Sequence, residues 1–242
     1  MSAPYNVAIV GAGIGREHSD GYAELPNLFN LKTICDLNAD RASLVAERSG
    51  AKVEINFEKV LNDPKIDIID ICLPPVLHYG AVEKALRSGK HVICEKPLAT
   101  SVADADRLIK LALETEKRVF PIFQYRYGLA ISRIRALINA GLTGKPLIAT
   151  LETHWSRNAE YYSVGWRGTW AGEQGGAILG HAIHIHDLLS FIFGPIHSVS
   201  AYVATRVNTI EVEDCAALSI QMVNGALVTS STTLGAAKDT SR

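Results

Sequence analysis

The fold is decided by the stretch Asn6-Val7-Ala8-Ile9-Val10-Gly11-Ala12-Gly13-Ile14-Gly15, an apolar strand that runs directly into a glycine-rich turn. Such a turn can bind a pyrophosphate when a helix follows, because backbone N–H groups and the helix N-terminus face the phosphates. Gly11 forms the tight turn and Gly13 lets the phosphate approach the backbone, with Ile14 and Gly15 completing the predicted contact. Arg16 occupies the usual sixth glycine position, so the loop is one residue short. The alternative is a purely structural turn.

The second predicted strand, residues 31–35, ends at Asp36. A carboxylate at this position can accept hydrogen bonds from both hydroxyls of an adenosine ribose. The same negative charge would repel a 2′-phosphate, so the sequence favours NAD over NADP as the cofactor. Arg41 lies nearby in sequence and keeps NADP open as the alternative.

Strands alternate with helices as far as residue 123, which predicts a parallel, doubly wound sheet with right-handed crossovers. The predicted strands are 6–10, 31–35, a short one near 53, 66–73, 92–94 and 118–123. The predicted helices are 15–25, 39–49, 57–62, 79–88 and 102–116.

The fifth strand ends in Val92-Ile93-Cys94-Glu95-Lys96-Pro97. A strand buried on both faces has no room for an unpaired ammonium, so Glu95 and Lys96 should lie at its carboxyl end, where such sheets bind ligands. Leu73 and Pro74 end the previous strand on the same edge, and we expect them to face the nicotinamide ribose. His78 follows and either contacts the cofactor or caps the next helix. An ordinary salt-bridged turn is the alternative for Glu95 and Lys96.

The pattern changes after residue 123. Helices are predicted at 129–140 and 177–193, and strands at 146–155, 198–207, 215–223 and 226–234, the last three without helices between them. This predicts an open, mostly antiparallel sheet and two domains, residues 1–123 and 124–242, with the ligand cleft between them. We expect no further strand after residue 234, so the sheet edge is covered by another subunit or by a longer chain.

A histidine-rich helix lies in the second half. His181, His184 and Asp187 follow one another at intervals of three, so a helix would present them on one face. Three polar groups on one stripe of an apolar helix favour an active site over a buried structural histidine. No fourth ligand stands out, so we expect no metal.

The composition narrows the classes of function. Lys and Arg total 24 and Asp and Glu total 25, and the chain has no basic run, so nucleic acid is not the expected partner. No uninterrupted apolar run reaches the ~20 residues of a membrane helix, and the first residues do not resemble a signal peptide. The four cysteines have no Cys-x-x-Cys spacing and are typical of a reduced cytoplasmic protein.

With these motifs in place, the chain resembles the Gfo/Idh/MocA family of NAD(P)-dependent oxidoreductases. The resemblance rests on the stretches 6–15, 91–97, 125–126, 166–170 and 175–187. It implies a Rossmann domain followed by an α/β domain whose open sheet often serves in oligomer contacts, and hence a homo-oligomer. It also implies hydride transfer between a nicotinamide and a carbinol of a sugar, inositol or related polyol.

The resemblance also implies roles for single residues. Lys96 matches the family lysine that bridges nicotinamide ribose and substrate, and His184 matches the usual catalytic histidine. The family commonly has an aspartate four residues before that histidine, where this chain has Gly180, and His181 is the candidate substitute. We expect the sugar pocket to be lined by Tyr125, Arg126, His154, Trp155, Tyr161, Arg167 and Asp187.

Two alternatives stay open. One is a glycosidase that uses bound NAD for transient oxidation and elimination. The other is a dinucleotide-binding sensor without catalytic activity.

Overall fold

The computed structural model describes residues 3–242 and divides into two compact units, one ending at Ile122 and the other spanning Phe123–Arg242. This division lies one residue before the predicted domain boundary. Each unit has its own sheet and its own hydrophobic core.

The first unit is built on a six-stranded parallel sheet in the order β3-β2-β1-β4-β5-β6. This is the strand order of a dinucleotide-binding Rossmann domain, so the predicted fold is confirmed. The strands are β1 (Tyr5–Val10), β2 (Phe29–Cys35), β3 (Lys52–Glu54), β4 (Ile68–Ile71), β5 (His91–Cys94) and β6 (Val119–Pro121). The helices are α1 (Gly15–Ala23), α2 (Ala39–Ser49), α3 (Phe57–Leu61), α4 (His78–Arg87) and α5 (Val102–Glu114).

Both faces of this sheet are buried, which explains its continuous apolar strands. Ala8 and Val10 of β1 belong to one core cluster, and Ile9 between them belongs to the other, because successive residues of a strand face opposite sides. The helices begin at side-chain caps where the chain provides them. Asn38 accepts a hydrogen bond from the N–H of Arg41 at the start of α2, and Ser101 accepts one from Asp104 at the start of α5.

The second unit contains a five-stranded sheet in the order β11-β7-β10-β9-β8. Its strands are β7 (Ile148–Ser156), β8 (Ile196–Ala204), β9 (Cys215–Met222), β10 (Leu227–Thr233) and β11 (Gly235–Ser241). Only β10 and β7 pair in parallel, so the sheet is mostly antiparallel as predicted. Its helices are α6 (Leu129–Asn139), α7 (Trp170–Glu173) and α8 (Ile183–Phe193), and Leu189 of α8 packs on one face of the sheet with Ile220, Met222 and Val228.

One sequence expectation about this unit is wrong, and one predicted helix is present with an irregular first turn. Residues 235–241 were expected to form no element, but they form β11, which pairs antiparallel with β7. The residues of β11 are mostly small or polar, so the sequence shows no alternation of apolar side chains there. The strand forms because pairing along a sheet edge needs only the backbone. The helix predicted over 177–193 begins with a π-helical turn, Ile178–Ala182, before α8.

One helical stretch of the second unit, Trp170–Phe193, is long and apolar enough by composition to cross a membrane. It contains Glu173 and Asp187, which interrupt the apolar run in the sequence. Core helices of soluble proteins pass the same test, so the stretch is weak support for a membrane location.

Candidate functional site

The glycine loop has a separate structural reason for each glycine. Gly11 has φ +102°, and a Cβ there would lie 2.3 Å from the carbonyl oxygen of Cys72. A Cβ on Gly15 would lie 2.6 Å from Ile9, so Gly15 provides the close packing of helix on strand that the missing sixth glycine normally gives. A Cβ on Gly13 would meet no atom of the described residues within 4 Å. The short loop therefore keeps the packing of the motif and leaves open space where a pyrophosphate would approach.

This difference between glycines gives a direct test. Gly13→Ala should fold normally but bind NAD about 10–100-fold more weakly, because a methyl group displaces a phosphate from a charge-assisted hydrogen bond of roughly 1.5–3 kcal/mol. Gly11→Ala should instead lower the free energy of unfolding by about 2 kcal/mol or more, since it combines a backbone clash with a left-handed φ. Thermal unfolding and NAD titration calorimetry separate the two effects. Normal NAD affinity in a folded Gly13→Ala variant would contradict the assignment.

Asp36 lies at the end of β2 with only 6% of its surface exposed. Its Oδ2 accepts hydrogen bonds from the N–H of Ala12 (2.8 Å) and from Arg41 Nε (3.1 Å). Its Oδ1 accepts from the N–H of Asn38 (2.8 Å) and from Arg41 Nη2 (2.7 Å). Burial raises the pKa of this carboxyl, but the hydrogen bonds from Arg41, Ala12 and Asn38 outweigh it and lower the pKa. The ionised carboxylate already accepts four hydrogen bonds. The hydroxyls of a ribose can therefore bind it only if the exposed Arg41 guanidinium moves away.

In the first unit, His78 does not contact the cofactor edge as predicted. The imidazole is fully buried, with Nδ1 2.7 Å from the carbonyl oxygen of Pro97 and Nε2 2.7 Å from that of Leu73. It joins the turns after β4 and β5 and is not available to contact a cofactor. Leu73 and Pro74 are half-buried at the predicted edge.

Glu95 and Lys96 lie directly after β5, as predicted, and both are half-buried. Glu95 was expected to contact the cofactor, but both of its carboxylate oxygens are engaged inside the unit. Oε1 lies 3.1 Å from His18 Nε2, and Oε2 accepts a hydrogen bond from the N–H of Lys96 at 3.1 Å. The Lys96-Pro97 peptide bond is cis.

In the second unit, His184 is the second residue of α8 and is buried against aromatic rings. It stacks on Tyr125 with ring centroids 4.9 Å apart, and Phe123 meets it edge-on at 6.5 Å. His181 lies in the π-helical turn and has other neighbours: its Nε2 is 3.3 Å from the hydroxyl of Tyr161, and Trp155 meets it edge-on at 5.3 Å. The two imidazoles therefore have separate aromatic surroundings.

Two arginines stack on the rings beside His181. The guanidinium of Arg167 lies 3.9 Å from the ring centre of Tyr161, and that of Arg157 lies 5.0 Å from the same ring and 4.8 Å from Trp155. Burial raises the pKa of Tyr161, which therefore stays a neutral hydrogen-bonding phenol. Trp155, Tyr161 and Arg167 were predicted from the sequence, whereas Arg157 was not. Arg157 directly follows β7 and lies two residues after Trp155, so the alternation of strand side chains would have placed both on the same side.

Arg126 and Asp187 were both expected to line a sugar pocket, and the structure pairs them with each other. Arg126 donates two hydrogen bonds to the carboxylate, one of them 2.7 Å long from Nε to Oδ2. The hydrogen bond to Asp187 raises the pKa of Arg126. The pair offers little net charge to a ligand.

His154 is not brought together with the other predicted pocket residues. Its Nε2 lies 2.8 Å from the hydroxyl of Ser231, whereas the neighbouring Ser230 faces α8 and lies 3.0 Å from His186 Nε2. Because neighbouring strand residues face opposite sides, His154 lies on the face of the sheet away from α8. Strand register alone decides this side, and the sequence does not show it.

The comparisons with known proteins agree with this geometry. Residues 5–123 match the oxidoreductase family with an NAD-binding Rossmann fold, GFO/IDH/MocA, and residues 131–242 match the GFO/IDH/MocA C-terminal domain. Among solved structures, the chain is similar to the WlbA dehydrogenase from Bordetella pertussis in complex with NADH and UDP-GlcNAcA. The two share 29% identity and a TM-score of 0.93 over 99% of this chain and 69% of that one.

Two curated relatives are sugar dehydrogenases by name. Levoglucosan dehydrogenase from Pseudarthrobacter phenanthrenivorans is 28% identical over 84% of this chain, and D-glucoside 3-dehydrogenase from Escherichia coli is 29% identical over 86%. The chain covers 54% and 60% of the lengths of these relatives. The open space at Gly13 and the ionised Asp36 fit a dinucleotide, and the predicted NAD-binding fold is confirmed. The chain belongs to the Gfo/Idh/MocA family of oxidoreductases, with an NAD-binding Rossmann domain as its first domain.

Proposed function

We propose that this protein is an NAD-dependent dehydrogenase that acts on a carbinol of a sugar, inositol or related polyol. The observation that carries the proposal is the burial of His184, which has 3% of its surface exposed and stacks on Tyr125, in a chain that also has an NAD-binding Rossmann domain. The dehydrogenase relatives named above support the class of reaction.

The chain's own residues would divide the chemistry as follows. His184 acts as the general base that takes the proton of the substrate hydroxyl. Lys96 hydrogen-bonds the same oxygen and stabilises its developing negative charge. NAD, when bound, supplies the nicotinamide that accepts the hydride. His181, with its hydrogen-bonding neighbour Tyr161, orients the substrate or relays the proton in place of the family aspartate at Gly180.

The side chains beside His181 favour a sugar-like substrate. Trp155 and Tyr161 supply aromatic rings beside His181, and Arg157 and Arg167, which stack on these rings, supply hydrogen-bond donors for sugar hydroxyls. Since Arg126 is neutralised by Asp187, Arg167 is the residue we assign to a carboxylate or phosphate on the substrate, if it carries one. A panel that pairs each neutral sugar with its uronic acid tests this assignment.

We further propose a homo-oligomer through the second sheet, at its edge strand β8. Every residue of β8 except Ala204 is exposed, including Val199, Tyr202 and Val203. Val199 and Val203 pair with Ile220 and Ala216 and lie on the face toward α8, whereas Tyr202 lies on the other face. An edge strand with exposed apolar side chains on both of its faces is typical of a subunit contact. The cytoplasmic location stays a prediction.

The experiment that tests the proposed function mixes the purified protein with NAD and the sugar panel and follows the NADH absorbance band. Net NADH with one substrate supports the dehydrogenase. Glycoside cleavage with no net NADH would replace it by the NAD-dependent glycosidase, and NAD binding without turnover of any kind would replace it by the sensor.

The choice of NAD over NADP rests on Asp36 and can be tested separately. Asp36→Ala should weaken NAD binding by about 10–100-fold, because hydrogen bonds to a charged group contribute roughly 1.5–3 kcal/mol each. Loss of the carboxylate also frees Arg41 for a 2′-phosphate, so the preference for NAD should narrow or reverse. Asp40→Ala, an exposed carboxylate in the first turn of α2, is the matched control. An unchanged NAD-to-NADP affinity ratio in Asp36→Ala would contradict the assignment.

A further inference from the structure

A buried cluster of ionisable groups lies in the first unit beside the glycine loop, and the proposed mechanism does not use it. His18 on α1 stands between two carboxylates, Asp70 in the middle of β4 and Glu95 just after β5. Asp70 is completely buried in a strand whose other residues are all isoleucine. A carboxylate in such a place requires strong partners.

The geometry gives both ring nitrogens of His18 an acceptor. Nδ1 lies 2.8 Å from Asp70 Oδ2, and Nε2 lies 3.1 Å from Glu95 Oε1. The hydroxyl of Tyr22, one turn further along α1, donates to the same oxygen of Asp70 at 2.7 Å. An ionised carboxylate only accepts hydrogen bonds, so both contacts of His18 form together only when both of its nitrogens carry protons.

The surrounding charges favour the protonated ring. Burial alone lowers the pKa of His18, but the hydrogen bonds to Asp70, Cys72 and Glu95 outweigh it and raise the pKa far above its ordinary value. The thiol of Cys72 lies 3.4 Å from Nδ1, and burial raises its pKa, so it stays a neutral thiol. The titratable groups that face His18 are therefore Tyr22, Asp70, Cys72 and Glu95, of which two are carboxyl groups.

The cluster continues to the residue that the proposed mechanism uses. The second carboxylate oxygen of Glu95 accepts the backbone N–H of Lys96 at 3.1 Å, while the N–H of Glu95 donates to the carbonyl oxygen of Ile71 at 2.9 Å. His18 thus fixes one side of a carboxylate whose other side holds the backbone of Lys96. Without a cation between them, Asp70 and Glu95 would repel each other and the carboxylate of Glu95 would turn away.

We propose that His18 is a positioning residue for Lys96: as an imidazolium it ties Glu95 to the buried Asp70 and so fixes the turn that carries the lysine. The inference rests on the proposed function for the role of Lys96. The charge of His18 and its hydrogen bonds to Asp70 and Glu95 do not depend on that function. Both parts can be measured independently.

The charge state is read by NMR of the purified protein labelled with ¹⁵N-histidine, at about pH 9, well above the ordinary histidine pKa of ~6.5. We expect both ring nitrogens of His18, assigned by their loss in His18→Gln, at imidazolium shifts. A neutral ring, with one nitrogen unprotonated, overturns the proposal. Stoichiometric zinc in the purified protein that is lost in His18→Gln also overturns it, since His18, Asp70 and Cys72 would then be metal ligands.

The positioning is read by comparing His18→Gln with His91→Gln, a half-buried histidine at the start of β5, the opposite end of the same strand. In His18→Gln we expect the backbone amide signal of Lys96 to shift and kcat to fall about 10–100-fold, with the NAD affinity within about twofold of wild type. His91→Gln should change neither the signal nor kcat. An unmoved Lys96 signal, or a loss confined to NAD affinity, overturns the proposal.

If the wild-type protein proves to have no dehydrogenase activity, the proposed function fails while the ring shifts and the Lys96 amide signal still decide the tie. If His18→Gln does not fold, Glu95→Gln breaks the same link from its other side, and the Lys96 amide signal and kcat are compared in that variant.

Discussion

Lys96→Ala should lower turnover by roughly 10²–10⁴-fold while the protein folds normally. The range is that of a side chain that shares an acid–base step or stabilises a developing oxyanion. Lys96 is half-buried at the end of β5, and the N–H of its backbone is held by Glu95. Its ammonium is therefore presented from a fixed turn, and alanine removes the charge without disturbing the core. Steady-state kinetics with the best substrate of the sugar panel measure the effect.

Two companion variants make the result specific. Lys110→Ala removes an exposed ammonium from α5 in the same unit and should leave turnover unchanged. Lys96→Arg keeps the charge but replaces the compact ammonium by a planar guanidinium, so it should restore only part of the activity. Turnover of Lys96→Ala within about threefold of wild type would remove the lysine from the acid–base chemistry.

His184→Ala should cause a second large loss, again roughly 10²–10⁴-fold in kcat/KM, because a general base contributes in this range. A base must be unprotonated to accept a proton, so wild-type kcat/KM should decline toward acid pH. The variant should lose this decline along with most of its rate. The measurement is the pH profile of kcat/KM for both proteins with one substrate.

The structure offers a matched histidine control on the other side of the sheet. His154 bonds to Ser231 on the face away from α8, so His154→Gln should leave both the rate and the pH profile unchanged. If His154→Gln lost as much activity as His184→Ala, the assignment of the active face of the second unit would be incorrect. If His184→Ala kept the acid decline, another group would be the base.

Much of the first unit could be predicted because its determinants are local in sequence. An apolar strand, a glycine turn and a helix follow one another within residues 6–25, and each of the later strand ends carries its own signal in proline, glutamate or lysine. The short loop was visible as well. What it means physically, that Gly15 packs directly on Ile9, required the structure.

The misses have a common physical origin in tertiary pairing. His18 lies 52 residues from Asp70 and 77 from Glu95, so no spacing rule joins them. A lone aspartate in the strand Ile68–Ile71 was the only sequence signal that a buried partner must exist. His78 points inward because it bonds to the carbonyl oxygen of Pro97, and the Glu95 carboxylate points inward because it bonds to the imidazole of His18. Both partners come from other elements of the fold.

In the second unit, the sequence indicated which residues would matter more reliably than it indicated which neighbours their side chains would contact. His181 and His184 were expected to share a helical face, but the π-helical turn at Ile178–Ala182 gives them different aromatic neighbours. Arg126 and Asp187 were each predicted to meet a ligand, and they meet each other. Side chains on strands and turns take their direction from register, which a single sequence states only weakly.

Isotope transfer tests the proposal that this protein moves a hydride between a sugar carbinol and NAD. The purified protein is given NAD and the active sugar carrying deuterium at the oxidised carbon, and the nucleotide is analysed by mass spectrometry. We expect one deuterium in the NADH formed by the wild-type protein, and almost no labelled NADH from Lys96→Ala or His184→Ala over the same time. NADH that forms without deuterium, or a sugar that is consumed while the nucleotide stays oxidised and unlabelled, would contradict it.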